Sequence, residues 1–141
     1  MLAAYRQMLE QGRNAYNARD PEAWVELWSG DCEWHPFLTA RVEGDPGYHG
    51  HNGMRAWFED TDEMFVNPHV ELEQFREVKG RILVLGQMTA TGRGTGTEVS
   101  SEVAWVFEPR GEKFRRGWAY ASHKEAEHEA DQLAPVRDGG D

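Results

Sequence analysis

The sequence has little of several features that would define a function class directly. Among 141 residues there is one cysteine, Cys32, which excludes an intramolecular disulfide and fits a reducing compartment. No apolar run reaches the roughly 20 residues of a membrane-spanning helix, and the first residues lack a signal-peptide pattern. The sequence therefore predicts a cytoplasmic protein without a membrane partner.

Positive charge is also scarce. The chain has 15 Lys and Arg against 25 Asp and Glu, which gives a formal net charge of -10. Such a charge repels phosphate backbones, so we expect no nucleic-acid partner. The sequence shows no internal repeat, and it predicts one domain over residues 1–133 followed by a flexible tail over residues 134–141.

Aromatic residues, in contrast, are abundant, with six Trp, six Phe and four Tyr. Apolar residues at helical spacing predict three helices in the first half. The first covers residues 2–18, the second begins after Asp20 and reaches Trp28, and the third runs from about residue 52 to 66. A strand over residues 31–36 is predicted between the second and third helices, followed by a loop over residues 39–48.

The second half of the sequence predicts strands. Four segments rich in β-branched and aromatic residues are separated by turn residues, and a short polar helix follows over residues 122–133. The four segments cover residues 70–78, 82–91, 98–108 and 113–121. Helices followed by an antiparallel meander indicate an α+β domain.

Five short sequence motifs occur in the order in which a known family carries them, and together they cover about residues 5 to 130. They are Tyr16-Asn17-Ala18-Arg19-Asp20, Glu33-Trp34-His35-Pro36, Gly50-His51-Asn52-Gly53-Met54-Arg55-Ala56-Trp57, Gly92-Arg93-Gly94-Thr95-Gly96 and Arg116-Gly117-Trp118-Ala119-Tyr120. The chain thereby resembles the SnoaL-like branch of the NTF2-like superfamily. The resemblance implies a cone-shaped fold in which three N-terminal helices pack on a strongly curved, mainly antiparallel mixed sheet and enclose a pocket. It also implies a homodimer through the sheet face.

Two residues are candidates for acid–base chemistry. A histidine near the end of the first strand often acts as a base in enzymes of the superfamily, and His35 can serve at neutral pH without a large pKa shift. The alternative is a hydrogen-bonded structural histidine. Tyr16 could donate a hydrogen bond to a substrate oxygen, or it could be an ordinary core residue. Val103 stands where the related isomerases carry an acid, so steroid isomerisation is not expected.

Six residues are predicted to contact a ligand. By resemblance, one face of the last two strands points toward the pocket, and tryptophans from the helices supply apolar walls. The predicted ligand-binding residues are Trp28, Trp57, Val103, Trp105, Gly117 and Ala119. Trp118 and Tyr120 would then face a dimer partner. His49 and His51 lack the further ligands that a metal site needs, so we expect no metal and no cofactor.

Two main functions follow from this pattern. The first is a cofactor-independent enzyme, of isomerase, cyclase, dehydratase or hydrolase type, that acts on an apolar oxygenated substrate with His35 as base. The second is a pocket protein that binds a hydrophobic ligand without chemistry. A scaffold that works only through its sheet dimer is a third possibility. The sequence leaves the three open, because fold and motif do not define a reaction.

Overall fold

The computed structural model describes residues 2–36 and 47–136, and these form four helices and one six-stranded sheet. The helices are α1 Leu2–Asn17, α2 Pro21–Val25, α3 Gly50–Met64 and α4 His123–Gln132. The strands are β1 Trp28–His35, β2 Tyr48–His49, β3 Phe65–Val78, β4 Arg81–Gly92, β5 Glu98–Arg110 and β6 Lys113–Tyr120. No helix in these two stretches is long and apolar enough to cross a membrane.

The strands follow the spatial order β2-β1-β6-β5-β4-β3. The β1–β6 pair is parallel and the other pairs are antiparallel, so the sheet is mixed but mainly antiparallel. α1 to α3 pack on one face, and α4 packs on the opposite face over β4, β5 and β6. The predicted α+β class with N-terminal helices over a mainly antiparallel mixed sheet is confirmed.

The helical layer is tied together by the segment that follows Tyr16. The side chain of Asn17 donates to Val70 O and accepts from Val70 N, at 3.0 and 2.9 Å, which joins α1 to β3. Arg19 has a positive φ of 55° and reaches α3, where it donates to Thr61 Oγ1 at 2.7 Å. Asp20 accepts from Ala23 N and caps α2. Polar side chains of one motif therefore connect the end of α1 to β3 and α3 and cap the start of α2.

Three boundaries differ from the prediction. Trp28 begins β1 instead of ending α2, because it pairs with Phe114 of β6 across the sheet. α3 begins at Gly50, ahead of the expected residue 52. β3 starts at Phe65 and continues through Asn67, which has a φ of 52°, because a register shift between Val66 and His69 absorbs the break.

Two predicted irregular segments lie largely outside the described residues. Most of the loop over residues 39–48 is not described, although its last residue belongs to β2. Of the tail, residues 134–136 are described, and they contact the turn between β3 and β4. Val136 N donates to Lys79 O at 2.9 Å, and Arg81 donates to Ala134 O.

Candidate functional site

A cavity of about 60 Å³ lies between the helical layer and the inner face of the sheet. Its lining residues come from α1, α2, α3 and all strands except β2. They are Met8, Leu9, Gly12, Arg13, Tyr16, Trp24, Leu27, Trp28, Trp34, Pro36, Trp57, Thr61, Val70, Leu72, Val84, Met88, Val103, Trp105, Phe107, Phe114 and Ala119. The small volume favours compact over polycyclic ligands.

Four of the lining tryptophans form one packed group, which we call the tryptophan cluster: Trp24, Trp28, Trp34 and Trp57. The ring centroids of neighbouring members lie 5.2–5.8 Å apart, in tilted or edge-to-face geometry. Gly12 allows this packing, because a Cβ there would lie 3.1 Å from Cζ3 of Trp24. The cluster builds a rigid, electron-rich wall from α2, α3 and β1.

The hydrogen-bonding state of the cluster is unusual. The Nε1–H group of Trp24 donates to Met54 Sδ at 3.4 Å. The Nε1–H groups of Trp28, Trp34 and Trp57 are buried and have no acceptor in the described part of the chain. Buried donors are nearly always paired, and each one left unpaired costs about 1–3 kcal/mol. The three donors belong to rings that line one cavity, but the nitrogen atoms themselves are covered, and the accessible lining is mainly apolar.

Other polar groups of the cavity come from Arg13, Tyr16 and Thr61. Thr61 donates to Phe58 O at 3.0 Å and accepts from Arg19, so its hydroxyl is already engaged. Tyr16 stacks on Trp57 with centroids 5.4 Å apart. Burial raises the pKa of the Tyr16 phenol, against the opposing effect of the Arg19 charge. The phenol is therefore protonated at neutral pH and can donate a hydrogen bond.

The structure places His35 away from this cavity. In β1 the side chain of Trp34 points inward, so that of the next residue, His35, lies on the opposite face of the sheet. There it stacks on Trp118 with centroids 6.0 Å apart, and its Nε2 lies 3.5 Å from Glu33 Oε1. His35 and Tyr16, the two predicted catalytic residues, are thus on different faces, and only Tyr16 lines the cavity.

The predicted ligand-binding residues fall mainly on the cavity side. Trp28, Trp57, Val103, Trp105 and Ala119 are all among the lining residues. Gly117 faces the same side but lies beneath the rings of Trp28 and Trp34, which fill the space above it. These positions are geometric facts, and contact with a ligand stays a prediction.

Trp118 and Tyr120, the residues predicted to face a dimer partner, lie on the outer face of the sheet. Trp118 and Tyr120 pack against the edge of an apolar cluster that α4 covers, formed by Leu83, Leu85, Ala104, Val106, Ala126 and Ala130. His51 Nε2 lies 2.8 Å from Trp28 O, which anchors the start of α3 to β1. Within residues 2–36 and 47–136, no group of three or more His, Cys, Asp or Glu is arranged to hold a metal ion.

Sequence reasoning misses three functional candidates: Arg13, Trp34 and Thr61. A signal for Arg13 was present, because it lies four residues after Leu9 and three before Tyr16, and these spacings share one helical face. Trp34 follows from strand alternation once His35 is assigned to the outer face. Thr61 had no local signal, since its place depends on how α3 packs against Arg19.

The fold is a small α+β domain with a cavity between its helices and its sheet. The SnoaL-like domain model matches residues 6–117, and the chain belongs to this family. The predicted SnoaL-like, NTF2-like resemblance is thereby confirmed. A search of the curated proteins finds no match to this chain.

Solved structures with this fold are numerous and distant in sequence. One is a hypothetical protein with a ketosteroid isomerase-like fold from Catenulispora acidiphila, in complex with trimethylamine. It is 18% identical, has a TM-score of 0.71, and the match covers 81% of this chain and 84% of that one. TerC, co-crystallized with polyporic acid, is 18% identical with a TM-score of 0.73, over 92% and 99%. A putative SnoaL-like polyketide cyclase from Jannaschia is 10% identical with a TM-score of 0.72, over 93% and 94%. At these identities the likeness establishes the fold alone.

Proposed function

We propose that this protein binds a small, mainly apolar molecule that carries oxygen acceptors, and that it does so in the cavity beside the tryptophan cluster. The observation that carries the proposal is the set of buried, acceptor-less indole N–H groups of Trp28, Trp34 and Trp57. A carbonyl or ether oxygen would satisfy such a donor once a small shift of the ring uncovers it, and the aromatic rings would bury the apolar body. Two proteins of this fold were crystallised with small molecules, which supports a small-molecule role.

The donor pattern also defines which ligands fit poorly. A pure hydrocarbon would leave the indole donors unpaired, and an ammonium ion would bring donors to donors. No Asp or Glu lines the described part of the cavity, so no carboxylate offsets such a cation. We therefore expect a neutral or anionic oxygenated ligand.

Acetophenone and α-methylstyrene provide a matched test, because they share one shape and differ in a carbonyl oxygen versus a CH₂ group. We expect acetophenone to bind more tightly and to shift the indole N–H resonances of the tryptophan cluster in ¹⁵N-correlated NMR spectra. It should also raise the melting temperature with increasing concentration. Equal affinity for the two compounds would refute the acceptor requirement, and binding of neither would refute the cavity as a ligand site.

Removing one donor should weaken acceptor binding selectively. Trp57→Phe keeps an aromatic ring but deletes an acceptor-less N–H, so we expect acetophenone affinity to fall about fivefold to tenfold, while α-methylstyrene affinity stays the same. Trp105→Phe is the matched control, because Trp105 lines the cavity but its N–H is not among the buried unpaired groups. Calorimetric titration of both compounds against both variants measures the difference.

Binding without chemistry is the function we favour over acid–base catalysis. The described lining residues include no His, Asp, Glu or Lys, and the protonated Tyr16 is a donor rather than a base. Catalysis with His35 as base is the alternative, and it would need a substrate on the outer face of the sheet, where His35 stacks on Trp118.

His35→Ala separates the two functions. We expect the variant to bind acetophenone within about twofold of the parent protein, because His35 lies outside the cavity. Its stability should change by less than about 1 kcal/mol, since the side chain is partly exposed and its contact with Glu33 is long, at 3.5 Å. A large loss of ligand affinity in His35→Ala would favour the enzyme. Turnover of an oxygenated substrate by the parent protein that His35→Ala lacks would favour it as well.

Self-association through the sheet face stays a prediction. Trp118 and Tyr120 are half-buried on that face, beside the area that α4 covers. A dimer would have to use the part of the face that α4 leaves uncovered, because α4 already packs over β4, β5 and β6. Cytoplasmic location and the lack of a cofactor also stay predictions.

A further inference from the structure

Arg13 differs from the other arginines that the structure describes. Seven of them have a carboxylate oxygen 2.7–3.0 Å away, Arg6 has one at 3.9 Å, and Arg93 donates to two backbone carbonyls. The seven are Arg19, Arg55, Arg76, Arg81, Arg110, Arg115 and Arg116. Arg13 has no carboxylate partner within the described residues, and its one hydrogen bond runs from Nε to Asn14 Oδ1 at 3.2 Å. In a chain with 25 acidic residues, this isolation is unexpected.

The position of Arg13 beside the cavity indicates a role for its unpaired guanidinium. Arg13 lines the cavity and is half-buried, on the same face of α1 as Leu9 and Tyr16. The described cavity wall has no acidic residue, so nothing there neutralises the guanidinium. One apolar cavity is therefore lined both by the rings of the tryptophan cluster and by Arg13, whose Nε bonds to Asn14 at the surface.

We propose that Arg13 binds an anionic oxygen group of the ligand, of the carboxylate class, while the apolar body of the ligand occupies the cavity. This inference rests on the proposed function and adds the charge of the ligand to it. A guanidinium presents parallel N–H donors that match the two oxygens of a carboxylate. Partial burial strengthens the pair, because fewer water molecules screen it. The alternative is an arginine that covers apolar surface with its stem and keeps its head in water.

Benzoate and benzamide test this inference, because they have similar size and differ by one negative charge. The net charge of -10 repels anions in general, so a preference for benzoate must come from a local cation. We expect the parent protein to bind benzoate about tenfold more tightly than benzamide at low salt. The preference should decrease as ionic strength rises.

Arg13→Gln should abolish this preference, because it should weaken the binding of benzoate far more than that of benzamide. Arg6→Gln is the matched control, because it removes the same charge from the same helix outside the cavity lining. It should retain the preference within about twofold. Calorimetric titrations of both probes against the three proteins, with circular dichroism to check folding, give the answer.

The outcomes separate the two proposals. If benzamide binds and benzoate shows no preference, or if Arg13→Gln retains the preference, the role of Arg13 is overturned while the cavity remains a ligand site. If Arg6→Gln abolishes the preference equally, the effect belongs to the overall charge and the role of Arg13 is also overturned. If neither probe binds the parent protein, the proposed function fails together with the inference.

Discussion

Gly117→Ala is expected to destabilise the protein by about 2–3 kcal/mol and to abolish ligand binding in the cavity. A Cβ at this position would lie 2.7 Å from Cη2 of Trp28 and 2.9 Å from Cε3 and Cζ3 of Trp34. Both rings are fully buried and belong to the tryptophan cluster, so they cannot move without displacing their neighbours. Chemical denaturation measures the loss of stability, and titration with acetophenone measures the loss of binding.

Gly30→Ala is the matched control for this variant. Gly30 lies in β1, which pairs with the strand that contains Gly117, and a Cβ there would meet no atom within 4 Å. The same chemical change should therefore alter stability by less than about 0.5 kcal/mol and leave acetophenone affinity intact. Equal effects of the two substitutions would show that the close packing of Gly117 beneath the tryptophans does not control the cavity.

Glu108→Gln is expected to lower the free energy of unfolding by about 3 kcal/mol. Glu108 is 8% exposed on the outer face of the sheet, and it accepts hydrogen bonds from Arg81 at 3.1 Å and from Arg116 at 2.8 Å. Arg81 is 6% exposed, so removing the carboxylate would leave a buried cation without its partner. Glu127→Gln, which breaks the exposed pair with Arg76, is the control and should cost less than about 1 kcal/mol.

The contribution of Glu108 to the free energy of unfolding should also depend on pH. Burial alone raises the pKa of Glu108, but the hydrogen bonds and charges of Arg116 and Arg81 together outweigh it and hold the pKa below its ordinary value of 4.5. The stabilisation is therefore fully present above pH 4.5 and is lost as the pH falls through the lower pKa of the folded state. The stability difference between the parent protein and Glu108→Gln should shrink below pH 4.5 in urea denaturation series. A difference that stays constant would contradict this role.

Glu108, Arg81 and Arg116 form a charged cluster on the outer face of the sheet, and the cavity lies on the inner face of the same strands. Phe107 of β5 faces the cavity, whereas the next residue, Glu108, belongs to the charged cluster. In β6, Gly117 and Ala119 face inward, whereas Trp118 faces outward and receives the Arg116 guanidinium 5.4 Å from its ring centre. Strand alternation thus places the charged cluster directly behind the cavity.

Local sequence signals were sufficient for most of the architecture. Helical spacing in α1 and the alternation of β5 and β6 depend only on neighbouring residues, so element type and strand parity could be predicted. Trp28 was assigned to the wrong element because its partner, Phe114, is distant in the chain. The start of β3 was misjudged for a similar reason, since a bulge opposite β4 absorbs Asn67 and Pro68.

The candidate site was predictable only in part. The sequence alone determined an aromatic-rich α+β chain of the SnoaL-like family, because composition, periodicity and short motifs are written along the chain. Only the tertiary structure decided that His35 lies on the outer face, that three indole donors have no acceptor, and that Arg13 has no carboxylate partner. The physical reason is that pairing and burial depend on groups that are distant in sequence and meet only when α1, α3 and the sheet pack together.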